Sequence, residues 1–271
     1  MLNELVKKIV LPLLVFIGVL GIWNGIASVV DEFPTPADTY ISAFGGVNAE
    51  GDEIDGVLAD PFYIDDEEDK GIFWHTIESL KRVFGGFSLA LIMGIPLGLL
   101  VGMSNNAKSA FEPFIQILKP ISPLAWLPLL LFIFPDLNMT MISTIFITSS
   151  WPILVYTALG VRSVSEDYMN VAKVLRFTTL EKILQIILPV AVPYIFRGMR
   201  LSLGIAWLVI VGAEMLAGGI GIGSWIWNEY NDHEYAHIII GIILVGLIGF
   251  ILDLLMRKID DFFDYTKRGR A

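Results

Sequence analysis

Apolar runs of about 20 residues recur along the chain, and short polar segments separate them. The runs cover residues 9–30, 83–103, 114–134, 139–161, 191–216 and 236–256. An α-helix of about 20 residues crosses the roughly 30 Å hydrocarbon core of a bilayer. The pattern therefore predicts an all-α, polytopic membrane protein with about six transmembrane helices.

The first run has two interpretations. Lys7 and Lys8 precede it, as basic residues precede the apolar region of a secretory signal peptide. However, residues 9–30 are long for such a region, and no clear A-x-A cleavage site follows them. We therefore expect a first transmembrane helix here.

The distribution of Lys and Arg predicts the orientation, because loops rich in these residues stay in the cytoplasm. Six crossings bring both termini to one side, and most basic residues fall in or beside segments of that side. These are Lys7, Lys8, Lys108, Arg162, Lys173, Arg176, Lys182, Arg197, Arg200, Arg257, Lys258, Lys267, Arg268 and Arg270. We expect both termini to be cytoplasmic, and segments 31–70 and 217–235 to lie outside.

Lys81 and Arg82 break this rule, because they lie at the outer end of the second run. One interpretation is an interfacial helix over residues 72–82 whose cations reach to the membrane surface. The other is a basic collar that attracts an anion. The sequence leaves both open.

Charge and composition refine this picture. The chain is 55% hydrophobic, above the roughly 45–50% of soluble domains. The net charge is −10. Thirteen acidic residues lie from Asp31 to Asp69 without a Lys or Arg among them, which predicts a solvated loop. The absence of cysteine excludes disulfides and thiolate metal sites.

Three motifs with possible chemistry carry little weight. No G-x-x-x-x-G-K-[ST] loop is present to cradle ATP phosphates. The glycine-rich residues 218–223 follow a transmembrane run and no strand, so they do not predict a dinucleotide loop. His233 and His237 beside Asp232 allow a zinc site, but we expect both histidines to be solvated on the outer surface. Trp225, Trp227 and Tyr230 fit an interfacial aromatic belt.

Small residues and prolines mark two of the spans. Gly94, Gly98 and Gly102 recur every four residues, which lines one helix face with small residues and favours close helix packing. Pro120, Pro123 and Pro128 interrupt the third run. Broken helices survive in membranes where they are buried in protein or line a wet cavity. The third span is therefore a candidate for lining a pathway.

Residues 162–189 read RSVSEDYMNVAKVLRFTTLEKILQIILP, which is too polar to span a membrane. Ser165 can cap a helix, and Thr178 or Thr179 can start a second one. Helical spacing predicts two apolar faces, the first formed by Tyr168, Val171, Ala172 and Leu175 and the second by Leu180, Ile183, Leu184 and Ile187. Two short amphipathic helices are typical of a docking element, or of a hairpin that rests on the membrane surface.

This segment resembles the cytoplasmic loop of binding-protein-dependent ABC importer permeases. Their signature is roughly E-A-A, three residues, G, about nine residues, then I-x-L-P. Asn170, Val171 and Ala172 take the first three places, Arg176 takes the glycine place, and residues 186–189 complete the motif. The flank SLKRVFGGFSLALIMGIPLGLLVG resembles the opening of the core domain in this family, and GIAWLVIVGAEMLAGGIGIGSWIWNEYN resembles the end of the fifth span in its nitrate, bicarbonate, sulfonate and taurine branch. The combination of VLR with AEMLAGGIGIG and IWNEYN is most similar to cyanobacterial nitrate and bicarbonate permeases.

The resemblance implies a type I ABC importer transmembrane domain. Residues 1–71 would hold the first helix and the acidic external loop, residues 72–256 the permease core, and residues 257–271 a basic cytoplasmic tail. A coupling helix at 164–177 would contact an ATPase. The implied contact residues are Glu166, Asp167, Tyr168, Asn170, Val171, Ala172, Lys173, Leu175 and Arg176.

The same resemblance implies the assembly and the substrate. The expected partners are a second permease copy or a homologue, two cytoplasmic ATPase subunits, an external solute-binding protein and membrane lipids, but no nucleic acid. The chain itself would hold no cofactor, metal or catalytic residue, since the ATPases bind ATP and Mg. The substrate would be a small inorganic anion carried across a bacterial inner membrane, nitrate first and bicarbonate second, with a sulfonate, taurine or cyanate as alternatives.

Several residues at membrane depth are candidates for the pathway. They are Lys119, Trp126, Arg197, Arg200, Glu214 and Met215. Glu214 would repel an anion, so we expect it to hold backbone rather than substrate. A gradient-driven secondary transporter would need ionisable residues near the midplane, for which Lys119 is the plausible candidate. A membrane-embedded enzyme would need clustered His, Asp or Glu at one depth, and the sequence shows no such cluster.

Overall fold

The computed structural model describes residues 6–30, 32–47, 51–65 and 70–263. The helices are α1 Leu11–Ala27, α2 Pro36–Phe44, α3 Ile72–Met103, α4 Asn105–Leu118, α5 Pro123–Ile133, α6 Leu137–Arg162, α7 Glu166–Val174, α8 Thr179–Lys182, α9 Leu188–Ala217, α10 Ile222–Asn231 and α11 Tyr235–Phe263. Short π-helical segments, Val6–Val10 and Ile183–Ile187, lead into α1 and α9. A two-stranded antiparallel hairpin joins β1 Gly46–Val47 to β2 Glu53–Ile54.

Five helical segments of the described chain are long and apolar enough to cross a membrane. They are Lys7–Ala27, Ile72–Met103, Leu137–Arg162, Thr179–Ala217 and Tyr235–Phe263. A sixth crossing is formed if α4 and α5, which meet at an angle of 96°, count as one broken span. The prediction of an all-α protein with about six transmembrane helices is confirmed.

Helices α3, α6 and α9 pack together at the centre of the bundle. The glycine face predicted on α3 lies against α6, and a Cβ atom added to Gly98 would lie 2.5 Å from Cβ of Thr157. At Gly102 the corresponding distance to Cβ of Val161 is also 2.5 Å. Membrane helices associate largely through such close packing, because lipid tails are as apolar as the side chains.

The third span breaks where its prolines predict. Helix α4 ends at Leu118, with Lys119 as its C-terminal cap, and α5 begins with Pro123 in its first position. Proline has no backbone N–H and a fixed φ, so it suits the first turn of a helix and interrupts the middle of one. The 96° bend therefore places Lys119 at the corner between two short helices.

The acidic segment 31–70 is more ordered than the solvated loop predicted for it. Thr35 and Asp38 form a capping box that starts α2, and α2 packs against α11. Val57 and Leu58 pack against the main core cluster. The described acidic side chains Asp52 and Glu53 remain exposed, so a few apolar residues hold the layer while the charges stay in water. Residues 31, 48–50 and 66–69 lie outside the described residues.

The two ends of the chain differ from the central bundle. No described residue of α1 is buried. Trp23 Nε1 of this helix donates a hydrogen bond to the carbonyl of Pro34 at 2.9 Å. At the other end, α11 continues through Arg257 and Lys258 to Phe263. The remainder of the predicted basic tail, residues 264–271, lies outside the described residues.

We predict that Gly98→Ala lowers the stability of the bundle by about 1–3 kcal/mol, because the added methyl group overpacks the contact between α3 and α6. Gly246→Ala is the matched control, since a Cβ at Gly246 meets no atom within 4 Å. Thermal unfolding in mild detergent measures both variants. Equal unfolding temperatures for the two variants would contradict this role of Gly98.

Candidate translocation pathway and coupling segment

A buried ion pair joins α3 to α9 at the end of the bundle opposite α7. Nη1 of Arg82 lies 2.7 Å from Oε1 of Glu214, and these residues are 6% and 0% exposed. The hydroxyl of Ser79 lies 2.9 Å and 2.8 Å from the two carboxylate oxygens. The charges of Arg82 and Glu214 are thus paired and hydrogen-bonded, as buried charges require.

The same cluster fixes the glycine-rich turn between α9 and α10. Arg82 Nη1 donates to the carbonyl of Ile220 at 2.6 Å, and the backbone N–H of Gly223 donates to Oε2 of Glu214 at 3.1 Å. A Cβ atom added to Gly221 would lie 2.2 Å from the carboxyl carbon of Glu214. Glycine is therefore needed for close approach to the carboxylate. These contacts agree with the expectation that Glu214 holds backbone.

Both interpretations of Arg82 are wrong, because its side chain is turned into the bundle. It neither reaches the membrane surface nor forms an exposed collar. Lys81 is exposed and pairs with Glu78 at 2.6 Å. Neighbouring helix positions point about 100° apart, so Arg82 faces α9 while Lys81 faces away. The region 72–82 is the first part of the continuous helix α3 rather than a separate interfacial helix.

Three other pathway candidates have protein partners. Arg200 forms a bidentate ion pair with Asp253 at 2.6 Å and 2.9 Å, which joins α9 to α11. Arg197 lies 5.5 Å above the ring of Tyr194. Met215 packs against the main core cluster. Asp253 neutralises the charge of Arg200, so this residue joins two helices rather than offering a free cation to the pathway.

Lys119 and Trp126 are brought together. They line a cavity of about 180 Å³ with Thr148 and Trp151 of α6 and Ile205 of α9. Thr148 and Trp151 lie near the middle of α6, and Ile205 lies near the middle of α9. The cavity is therefore at mid-depth in the bundle, beside the bend of the broken span.

Lys119 also lines a second cleft, of about 370 Å³, toward the end of the bundle that carries α7. Lys108, Glu112 and Arg162 are among the other residues that line it. Arg162 donates to the carbonyl of Val101 at 3.0 Å, which places the ends of α3 and α6 together. The side chain of Lys119 thus lies at the junction of the cavity and the cleft.

Helices α7 and α8 form the predicted pair between the fourth and fifth spans. Of the first predicted apolar face, only Ala172 is buried, at 0% exposure, whereas Tyr168, Val171 and Leu175 are 60%, 53% and 59% exposed. Most of this apolar face is therefore left uncovered by the chain itself. Met169 packs against a small core cluster at the ends of α6 and α9, and Ala172 is fully buried.

The remaining residues predicted for ATPase coupling lie on the outside of the segment. Besides Tyr168, Val171 and Leu175, the exposed ones are Glu166, Asp167, Asn170, Lys173 and Arg176. A contiguous surface with both apolar and charged side chains is therefore available at this end of the bundle. Ala172 is the member of the predicted set that faces the protein.

Arg176 adopts the left-handed conformation, with φ of 53°, in the place where the family signature has glycine. The N–H of Phe177 donates to the carbonyl of Ala172 at 2.9 Å, and the N–H of Arg176 donates to that of Lys173 at 3.1 Å. These bonds form a Schellman motif, in which glycine is favoured because it has no Cβ. Thr178 then starts α8 through a capping box with Glu181.

Two of the aromatic and histidine residues, Trp225 and His237, differ from their predictions, whereas His233 is exposed as predicted. Trp225 is buried rather than interfacial, and its ring stacks on His237 at a centroid distance of 6.3 Å. Nδ1 of His237 lies 2.7 Å from Glu229, so this histidine is not simply solvated. Within the described residues, no group of three potential metal ligands is present. Trp227 and Tyr230 are about half exposed and stack on each other.

The bundle, its broken span and the exposed helical segment between the fourth and fifth spans together define a membrane-spanning permease subunit. Residues 94–264 match the family described as the binding-protein-dependent transport system inner membrane component, and this chain belongs to that family. The assignment drawn from the loop motif and its flanks is confirmed.

Characterised relatives cover most of the chain. The nitrate import permease protein NrtB of Leptolyngbya laminosa is 38% identical over 94% of this chain and 88% of its own length. The bicarbonate transport system permease protein CmpB of Synechococcus elongatus is 40% identical over 90% and 86%. A putative ABC transporter permease of Methanocaldococcus jannaschii is 34% identical over 98% and 94%.

Solved structures show the same fold. The MetNI methionine ABC transporter in an inward-facing conformation contains a chain that superposes with a TM-score of 0.63 at 14% identity, over 71% of this chain and 95% of that one. An amino acid ABC transporter crystallised with histidines gives 0.57 at 18% identity, over 71% and 92%. The fold is that of a type I ABC importer permease.

We predict that Glu214→Gln destabilises the protein by about 3–5 kcal/mol, because it leaves the buried guanidinium of Arg82 unpaired. The double variant Arg82→Gln with Glu214→Gln should lose less than the sum of the single variants, since the lone charge is gone. Thermal unfolding in detergent of all three variants gives the coupling energy.

Lys81→Gln is the control for that cycle, because it removes the neighbouring exposed cation and should change stability by only about 0.5 kcal/mol. A Glu214→Gln variant as stable as Lys81→Gln would show that the buried pair does not hold α3 to α9.

Proposed function

We propose that this chain is the permease subunit of an ATP-driven importer for a small inorganic anion, with nitrate as the first candidate. The observation that carries the substrate class is the identity of 38% and 40% to a nitrate and a bicarbonate permease, each over about nine tenths of the chain. These similarities are nearly equal, so bicarbonate is the alternative substrate. Sulfonates and taurine follow, from the branch that the loop and flanking motifs resemble.

The pathway forms between two permease subunits, either two copies of this chain or one copy and a homologue. Support comes from apolar side chains that this chain leaves uncovered, such as Phe132 at 87% exposure and Leu208 at 72%. Lipid covers part of this surface. The broken span α4–α5 carries Phe132, and Trp126 of the same span lines the cavity beside Lys119.

Two cytoplasmic ATPase subunits, which bind ATP and Mg, dock on the exposed surface of α7. Its contacts are Glu166, Asp167, Tyr168, Asn170, Val171, Lys173, Leu175 and Arg176, while Ala172 anchors the helix to the bundle. This end of the bundle is then cytoplasmic, as are both termini, in a bacterial inner membrane. An external solute-binding protein delivers the anion at the opposite end.

Alternating access follows from this arrangement. Binding of ATP draws the two ATPases together, and the helices α7 that rest in them approach one another. Met169 passes the movement to the ends of α6 and α9, because it packs against the apolar cluster that they form there. The cavity then opens outward, and hydrolysis resets it.

The rival is a secondary transporter driven by an ion gradient. Such a mechanism uses ionisable groups near the midplane that exchange partners or protons. In the described part of the chain, Arg82 and Arg200 are paired with carboxylates, and Lys119 is the mid-depth cation that lines the cavity. The exposed surface of α7 would have no role in that mechanism.

We predict that the chain purifies from its native membrane with ATPase subunits and a solute-binding protein. Proteoliposomes that contain these components should accumulate labelled nitrate when ATP is inside, and bicarbonate is tested in parallel. Accumulation without ATP under an ion gradient would support the secondary transporter. Accumulation of neither anion would refute the proposed substrate while leaving the permease assignment intact.

We predict that Arg176→Glu lowers substrate-stimulated ATP hydrolysis at least about tenfold, since it reverses a charge on the docking surface at a position that faces the partner. Arg176→Gly is the matched control for the turn, because glycine suits a φ of 53° and removes the charge without reversing it. ATP hydrolysis by the reconstituted complex, with and without loaded binding protein, measures coupling. Wild-type coupling in Arg176→Glu would show that this cation takes no part in docking.

A further inference from the structure

The ammonium group of Lys119 has no hydrogen-bond or ion-pair partner among the described residues. Its side chain is exposed at the bend between α4 and α5, where it borders a cavity at mid-depth in the bundle. By contrast, Arg82 and Arg200 have carboxylate partners at 2.7 Å and 2.6 Å. Lys119 therefore provides an uncompensated positive charge to the cavity that it lines.

Two tryptophans, Trp126 and Trp151, line the same cavity. The indole N–H groups of Trp126 and Trp151 have no acceptor within the described part of the chain, and neither indole nitrogen is fully buried. Other tryptophans do have acceptors, for example Trp207, whose Nε1 donates to the carbonyl of Val245 at 2.9 Å. The hydroxyl of Thr148 is already committed to the carbonyl of Thr144 at 3.0 Å. Lys119, Trp126 and Trp151 thus offer donors that no described residue uses.

No carboxylate lines this cavity, and the adjoining cleft is also positive on balance. The cleft has Lys108, Arg162 and Lys119 against the single carboxylate of Glu112. A low-dielectric cleft of one charge sign concentrates ions of the opposite sign. A volume of about 180 Å³ admits an ion of a few heavy atoms with some of its water, since a water molecule takes about 30 Å³ in the liquid.

We propose that Lys119, Trp126 and Trp151 form a binding site for one small inorganic anion at mid-depth in the permease. The ammonium group supplies the charge, and the two indole N–H groups supply directed hydrogen bonds. The permease then selects for anions itself, in addition to any selection by the binding protein. This inference rests on the proposed anion substrate and locates where that substrate is held during transport.

Quenching of tryptophan fluorescence tests the site on the purified permease–ATPase complex, without any need for transport. Iodide serves as an anionic probe at constant ionic strength in gluconate, and acrylamide serves as a neutral probe of accessibility. The signal lost in the double variant Trp126→Phe with Trp151→Phe isolates the two cavity indoles from the other tryptophans. Lys119→Gln should lower the iodide quenching constant of these indoles at least about threefold and leave acrylamide quenching unchanged.

Two variants control for the shape and position of the charge. Lys119→Arg keeps the cation and should retain iodide quenching, and Lys258→Gln removes an exposed lysine of α11 and should behave as wild type. Iodide quenching that is unchanged in Lys119→Gln, or that falls equally with acrylamide quenching, overturns the site. A loss of iodide quenching as large in Lys119→Arg as in Lys119→Gln overturns it too.

Uptake by proteoliposomes separates this inference from the proposed substrate. Lys119→Gln should lower nitrate uptake about tenfold at saturating binding protein, because a charged hydrogen bond is lost. If the wild-type complex imports nitrate or bicarbonate and Lys119→Gln imports it equally well, the anion site is refuted and the proposed substrate stands. Charge-dependent iodide quenching in a complex that imports neither anion refutes the substrate and keeps the anion site.

Discussion

The close contact between α3 and α6 determines where the other parts of this permease lie. Lipid offers helices no hydrophobic reason to associate, so they must gain from packing at short range. Gly98 and Gly102 allow this, because their missing side chains leave room for Thr157 and Val161. Helix α9 packs on the same pair, which places its Glu214 opposite Arg82 of α3, while Trp151 of α6 lies beside the bend of the broken span.

Charges within the bundle divide by whether the protein neutralises them. Arg82 with Glu214 and Arg200 with Asp253 each join two helices, and removal of one partner would leave a costly lone charge. Such pairs stabilise the arrangement and leave little charge for a passing ion. Lys119 is not neutralised by any described residue, and it borders the cavity and the cleft. That difference distinguishes structural cations from a candidate for transport.

Local features of this protein were predictable from the sequence, and long-range ones were not. Proline positions predicted the break after Leu118. Arg176 takes the glycine place of the family signature, and its φ of 53° explains why glycine is usual there. The pairing of Arg82 with Glu214, 132 residues apart, depends on helix register that no local pattern encodes. Helical spacing likewise showed that apolar residues of α7 share one side, but it could not show that most of that side is left exposed.

The two ends of the bundle are held by different kinds of contact. At the end opposite α7, the ion pair of Arg82 and Glu214 fixes α3, α9 and the glycine-rich turn through directed hydrogen bonds. At the end that carries α7, Met169 packs against apolar residues of α6 and α9, and Ala172 is fully buried. Separation of the ion pair would leave a buried charge unpaired, whereas separation of an apolar contact leaves no charge behind. The contact at the first end is therefore the costlier one to break, and the Lys119 cavity lies at a depth between the two ends.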